Sequence, residues 1–400
     1  MLSVDEARAA ILKVAHPLPP EPVKLADALG RVLAAPVIAT RDHPPFPSSA
    51  MDGYALRSAD TPGSLKLVGV AAAGHGFEGP CEAGSAVRIA TGGALPEGAD
   101  TIVIQEDVRR DGDRIDVPEA EPGKHIRRRG MDFSAGTELL SAGRKLDAVA
   151  LALAAASGAG TLSVVRRPRI AILNSGDELA EPGSAPGPFQ IFESGNYGIA
   201  GLISEWGGVP RPLGLLPDDE EAIARAAERG LAMSDLLVMV GGASVGDYDF
   251  ARPALERLGL GLTFSKISVR PGKPTWFGTT TQGAVLGLPG NPASALVCSH
   301  LFLRPMMEAM LGRDPLACGA TKRAHLAQAL PANGKREQFL RALCEIDREG
   351  QLTVRGFDNQ DSSLLLVFAA ANALIRRAPD TPALEKGALV DVLLLSSLNR

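Results

Sequence analysis

Gly242-Ala243-Ser244-Val245-Gly246 fits the pattern G-x-S-x-G, behind an apolar run at Asp235–Val240 and ahead of a helical pattern at Tyr248–Leu258. Two chemistries suit a serine among glycines on such a strand-to-helix turn. Ser244 could be a nucleophile raised on a sharp elbow, as in an acyl-transfer enzyme. Alternatively, Gly241, Gly242 and Gly246 let backbone N–H groups close on a phosphate, with the dipole of the next helix assisting. Asp247 and Asp249, just past the turn, favour the cradle, because carboxylates beside bound phosphate can hold a bridging metal. A hydrolase also needs a histidine, and only His300 and His325 lie downstream, the first of them mid-helix.

Carboxylates beside glycine recur at Asp52-Gly53 and Gly176-Asp177-Glu178, and a pair stands at Asp218-Asp219. Mg²⁺ takes oxygen ligands and keeps waters, so one or two such acids plus substrate phosphates suffice. Plainer roles are open to each: Asp177 can start a turn and Asp219 can cap the helix after it. Basic residues gather around Arg270-Pro271-Gly272-Lys273-Pro274, with Lys266 before the loop and Arg304 further on. A rigid Pro-Gly loop carrying cations suits an oxyanion, and a solvated surface loop is the plainer alternative. In Gly287-Leu288-Pro289-Gly290-Asn291-Pro292, Gly290 would close a sharp turn and Pro292 would start a helix, leaving backbone donors free to face a ligand. Arg127-Arg128-Arg129 reads as a solvated face. Gly74 to Gly79 satisfies G-x-G-x-x-G, but Pro80 and Gly84 follow where a dinucleotide fingerprint must open a helix, so it reads as a loop.

The elements that must carry these residues follow from periodicity. Ser3-Val4-Asp5-Glu6 is a capping box, opening a helix to about Val14. Between Pro44 and Gly143, short β-rich runs (Leu65–Val70, Ala86–Ile89, Thr101–Gln105) alternate with Gly/Pro/Asp turns. Leu146–Ala156 reads as a helix that groups with the first one, which makes the β region an insertion. From Pro168, strands at Arg169–Leu173, Gly208–Gly214, Asp235–Val240 and Ala284–Leu286 alternate with helices at Asn196–Trp206, Asp219–Arg229, Tyr248–Leu258 and Pro292–Leu311. Such alternation implies a doubly wound parallel sheet covered on both faces. Beyond Gly312 the texture is β again, at Gln338–Asp347, Leu352–Arg355 and Val390–Leu395. The expected division is 1–43 with 144–167 as a helical linking domain, 44–143 as an inserted β domain, 168–317 as an α/β domain and 318–400 as a C-terminal β domain.

Composition agrees with a multidomain α/β and β protein. The chain has 400 residues, 45% of them hydrophobic but only 4% aromatic, so its cores must be built from aliphatic side chains. A formal net charge of −5 argues against nucleic acid as partner. Cys81, Cys298, Cys318 and Cys344 show neither disulfide nor zinc spacing. With no apolar leader and no uninterrupted apolar span, a cytoplasmic protein without membrane contact is expected.

Taken together, the segments resemble the molybdopterin molybdenumtransferase family, the MoeA and gephyrin E-domain group. The matching residues are Pro44-Pro45-Phe46, Ser49-Ala50-Met51-Asp52-Gly53-Tyr54-Ala55, Arg88-Ile89-Ala90-Thr91-Gly92, Pro96 to Asp100, Ile126 to Asp132, Ser175 to Leu179, Gly241 to Asp249, Pro271 to Pro274 and Gly287 to Pro292. Their order and spacing hold across almost the whole chain.

The resemblance implies a central α/β domain of the molybdopterin-binding type. It also implies a homodimer whose inserted β domain faces the partner's α/β domain in a shared active site. The implied reaction joins adenylylated molybdopterin and molybdate to give molybdenum cofactor and AMP, with Mg²⁺; other cofactor-biosynthesis enzymes are implied as partners. Carried over by position, Asp52, Thr91, Asp132, Glu178, Lys266, Arg270, Lys273, Arg341 and Ser362 are the catalytic candidates. Gly241, Gly242, Ser244, Gly246, Pro289, Gly290 and Asn291 would cradle the nucleotide. Glu178, Asp218, Asp219 and Asp249 would hold the metal, with Lys273, Arg341 and Ser362 receiving molybdate. The sequence departs from the family at Phe46 to Ser49, which lacks an Asp-Asn, and at Ala243, where Val is usual. Arg270 stands for a Lys, and Glu193-Ser194-Gly195-Asn196-Tyr197 replaces an Asp-Ser-Asn stretch. A non-catalytic pterin-binding scaffold and a serine hydrolase using Ser244 are the competing functions.

Overall fold

Ser3 opens the first helix, α1 (Val4–Leu12): its hydroxyl accepts from the Glu6 N–H and its own N–H donates to the Glu6 carboxylate. The computed structural model describes residues 1–241 and 250–396. It divides into two units, Met1–Glu21 with Val164–Arg400, and Pro22–Ser163.

The larger unit is built on β1 (Arg169–Ser175), β2 (Val209–Leu216), β3 (Leu236–Val240), β4 (Gly261–Phe264), β5 (Trp276–Thr279) and β6 (Ala284–Leu288). They pair in the order β2-β1-β3-β6-β5-β4. Neighbours from β2 to β6 run parallel, and β5 and β4 extend the sheet antiparallel. The helices are α2 (Gly195–Glu205), α3 (Glu220–Met233), α4 (Ala251–Glu256), α5 (Pro292–Cys298) and α6 (Arg304–Met310). Side chains alternate across a strand, so the two faces take different partners. Ile170, Ile172, Val238 and Leu286 pack with α1, α2, α5 and α6. Ala171, Leu173, Leu237 and Val285 pack with α3 and α4.

The segment expected as a helix at Pro292–Leu311 is helical from Pro292 to Met310, with a π-turn, Ser299–Leu303, between two α segments. Pro305 has no N–H to give the carbonyl four residues back, and Arg8 Nε donates to that carbonyl, Leu301 O, at 3.4 Å instead. The first helix and the Ala-rich one fall in different units. Ala148–Ala156 belongs to the smaller unit, whereas Val4, Ala7 and Ile11 form an i, i+3, i+7 stripe in the core of the larger one.

Past α6 the chain forms β7 (Lys322–Leu326), β8 (Glu337–Ile346), β9 (Leu352–Gly356), the short helix α7 (Leu365–Ala370), β10 (Ala373–Arg377) and β11 (Leu389–Leu394). The order β8-β9-β7-β11-β10 closes on itself through a β8–β10 pairing, giving a small barrel. Val269–Arg270 pairs in parallel with Glu337–Gln338 at the start of β8, so the basic loop springs from the barrel edge. In the smaller unit a six-stranded sheet runs Thr101–Ile104, Gly53–Leu56, Ser85–Ile89, Gly63–Ala71, Arg114–Val117, Arg109–Asp111. Among the described residues no helix is long and apolar enough to cross a membrane.

Candidate active site

Parallel strands bring their carboxyl ends to one edge of the sheet, where ligands of open α/β folds bind. The ends of β1, β3 and β6 deliver Asn174, Ser175, Gly241, Pro289, Gly290 and Asn291 to a cleft of about 810 Å³. Gly241 has φ +81°, and its Cα lies 3.4 Å from where a Gly290 Cβ would be. Two glycines are therefore what lets these loops meet backbone to backbone.

Among the described residues, three acids line this cleft: Glu178, Glu193 and Asp218. A Cβ on Gly176 would lie 2.5 Å from Glu178 Oε2, so the glycine makes room for the carboxylate to fold back over its own turn. Asp177 Oδ1 accepts from the Asp218 N–H at 3.3 Å, tying the two acidic loops together. Asp218 and Asp219, which the sequence left undivided, have separate roles. Asp218 faces the cleft, and Asp219 caps α3 by accepting from the Ala222 N–H at 2.7 Å. Glu193 was missed as a candidate. Only 3% exposed, it accepts from Asn174 Nδ2 at 2.9 Å and from the Asn196 N–H at 2.6 Å. An acid three residues before a helical Asn was the readable signal, since such acids satisfy first-turn N–H groups.

A second cavity of about 290 Å³ adjoins the first, and Pro274, Pro289 and Asn291 line both. It is basic: Arg270, Lys273 and Arg336 line it, along with Ser294, Ser362 and Asp361. Arg336 was not singled out in the sequence. It sits next to the β8 pairing with Val269–Arg270 and reaches Val269 O at 3.4 Å, so the strand register is what brings it in. Lys266 is half-buried and lines neither cavity. Arg304 stacks over Trp206, 5.7 Å from the ring centre, away from both.

Arg341 lines neither cavity. It is 1% exposed, and its guanidinium donates to Gln360 Oε1, Leu364 O and Asp361 O at 3.3, 3.1 and 2.8 Å. Three of its five N–H groups thus brace a loop, through one side-chain and two backbone oxygens. That loop carries Ser362.

In the smaller unit, Asp52 accepts from Thr91 N at 2.7 Å and Thr91 Oγ1 at 3.0 Å. The Thr91 N–H first, then its hydroxyl, hold the Asp52 carboxyl below the usual carboxylate range. Asp132 lines a separate concavity of about 510 Å³ with Phe46, Arg127 and Met131. Gly242, Ser244, Gly246 and Asp249 lie outside the described residues. Among the residues described, no three of His, Cys, Asp and Glu gather as a metal cluster would.

Three family models match in order: the MoeA N-terminal region (domain I and II) over residues 2–158, a probable molybdopterin binding domain over 171–309, and the MoeA C-terminal region (domain IV) over 323–395. A molybdopterin molybdenumtransferase of Haemophilus influenzae is 34% identical over 384 residues, covering 94% of each chain. The chain belongs to the molybdopterin molybdenumtransferase family. A molybdopterin molybdenumtransferase 2 of Mycobacterium tuberculosis is 33% identical over 98% of this chain and 99% of its own. A crystal structure of the molybdopterin biosynthesis MoeA protein of Pyrococcus horikoshii superposes with a TM-score of 0.85 at 28% identity, covering 99% of this chain and all (100%) of that one. Membership in the family makes the chain a transferase of molybdenum cofactor biosynthesis.

Proposed function

We propose that this transferase takes adenylylated molybdopterin and molybdate, inserts the metal into the pterin and releases AMP in a Mg²⁺-dependent reaction. The observation that carries this is the shared rim. An acidic cleft and a basic pocket meet at Pro274, Pro289 and Asn291, so a nucleotide bound through a cation and a free oxyanion can lie in contact. The cleft, at the carboxyl ends of the parallel strands, takes the nucleotide. The pocket takes molybdate, held by Arg270, Lys273 and Arg336 with the Ser362 hydroxyl as a neutral donor.

The donor set fits a hard cation. Glu178 and Asp218 offer only oxygen, and Mg²⁺ is satisfied by one or two carboxylates with phosphate oxygens and waters. Bound there, the ion offsets negative charge on the pyrophosphate. Glu193, already engaged by Asn174 and Asn196, fixes the cleft wall and, among the described acids, leaves the metal to Glu178 and Asp218.

The homodimer belongs to the same proposal: Asp52, Thr91 and Asp132 of one protomer complete the site of its partner. All three are solvent-facing on their own unit, which leaves them free for such a role. AMP release measured with molybdate, with tungstate and with neither tests the reaction. A protein that binds adenylylated pterin but releases no AMP with any oxyanion is a scaffold, and the proposal falls.

A further inference from the structure

The basic loop stands on a buried sulfur. Gly272, at its centre, has φ +111°, and a Cβ there would lie 2.2 Å from Cys298 Sγ. Cys298 is fully buried at the end of α5, the helix whose opposite end presents Asn291 to the pocket. Thr275, also fully buried, joins the two: its Oγ1 lies 2.8 Å from Gly272 O and 3.2 Å from Cys298 Sγ. The Thr275 N–H also donates to Gly272 O at 3.0 Å, and Lys273 O accepts from the Ile267 N–H at 3.0 Å. Burial pushes the Cys298 thiol up to about 12, so the sulfur is a neutral thiol, too deep and too weakly acidic to act as a nucleophile.

We infer that Thr275 and Cys298 are positioning residues that set where Arg270 and Lys273 stand in the oxyanion pocket. Without the hydroxyl, the Gly272 carbonyl keeps only one backbone donor, and the loop loses its link to α5. Lys273 then samples positions away from Asn291 and Ser362. A buried polar link of this kind specifies one arrangement where plain apolar contact would allow several. The inference rests on the oxyanion reading of that pocket.

The test uses the full chain with Thr275→Val, close to isosteric but lacking the hydroxyl, and Thr275→Ser, which keeps it. AMP release is followed against molybdate concentration, and amide hydrogen exchange is followed across 270–275. Thr275→Val should raise the molybdate KM about tenfold while kcat stays within about twofold, the pattern of lost binding alone. It should also speed exchange in the loop more than in β5. Thr275→Ser should restore both. An unchanged molybdate KM, or equal loss in the two variants, overturns the inference. If Thr275→Val unfolds, Cys298→Ser, which keeps a hydrogen-bonding atom but shrinks the support, is read the same way. Wild-type protein that releases no AMP would sink the functional reading. The exchange comparison would still decide whether Thr275 fixes the loop.

Discussion

The Asn291 carboxamide donates to the Ser362 hydroxyl across 2.7 Å, although 71 residues separate them. One stands before α5 and the other on the barrel loop braced by Arg341, so this bond closes the rim between the acidic cleft and the basic pocket. Asn291→Ala leaves the hydroxyl free to turn away. A net hydrogen bond is worth roughly 1 kcal/mol, so the molybdate KM should rise about fivefold to tenfold with little change in thermal midpoint. Molybdate dependence identical to wild type would show that the rim does not order the oxyanion.

Asp218 and Asp219 are adjacent in sequence and should separate in experiment. Asp219→Ala removes the α3 cap and should cost about 1 kcal/mol, read as a lower unfolding midpoint, with the Mg²⁺ requirement for AMP release unchanged. Asp218→Ala should leave stability within about 0.5 kcal/mol and raise the Mg²⁺ concentration needed for half-maximal rate. The opposite pattern would mean that the cleft-facing acid is not a metal ligand.

Asp52 should report its partnership with Thr91 through pH. The Thr91 N–H and hydroxyl both lower its pKa from 3.8. A depressed folded-state pKa contributes stability above the unfolded value, and that contribution fades as pH falls through the lower folded one. Thr91→Val keeps the N–H but loses the hydroxyl, so the carboxyl should titrate at higher pH than in wild type while staying below its ordinary value. Carboxyl NMR titration reads this directly, and the acid limb of AMP release should move the same way. Coincident titration curves would mean that the hydroxyl contributes nothing.

Much of the larger unit was legible because its parallel strands are apolar runs separated by caps and turns. Leu236–Val240 is buried throughout, as a strand covered on both faces must be. The antiparallel additions were not: Gly261–Phe264 and Trp276–Thr279 are four residues each, and the first is mostly exposed, so neither has a strong pattern. β10 begins Ala373-Leu374-Ile375 just after an Ala-rich helix, and only its barrel neighbours make it a strand. The burial of Arg341 follows from strand parity. In β8, Glu337, Phe339 and Arg341 are buried on one face, opposite the face whose Leu340, Ala342 and Cys344 join the barrel core. Glu178 was recognisable by its glycine and Asp218 by its paired acid, while Glu193 was not; which carboxylate of a pair caps a helix and which faces a ligand is decided by a single residue of register.

The proposed sharing of the site between protomers makes a prediction that no single-chain arrangement allows. Asp52→Ala disables the smaller unit's contribution, and Lys273→Ala disables the oxyanion pocket of the larger one. Each variant alone should release almost no AMP. In a mixed dimer, one of the two sites combines the intact smaller unit of the Lys273→Ala chain with the intact larger unit of the Asp52→Ala chain. With subunits exchanged at equal ratio, half the dimers are mixed and half of their sites are intact, so about a quarter of wild-type activity should return. If every site were completed within its own chain, mixing would restore nothing, because each chain carries one lesion. Activity measured before and after subunit exchange by mild denaturation and refolding distinguishes the two, with each variant refolded alone as the control.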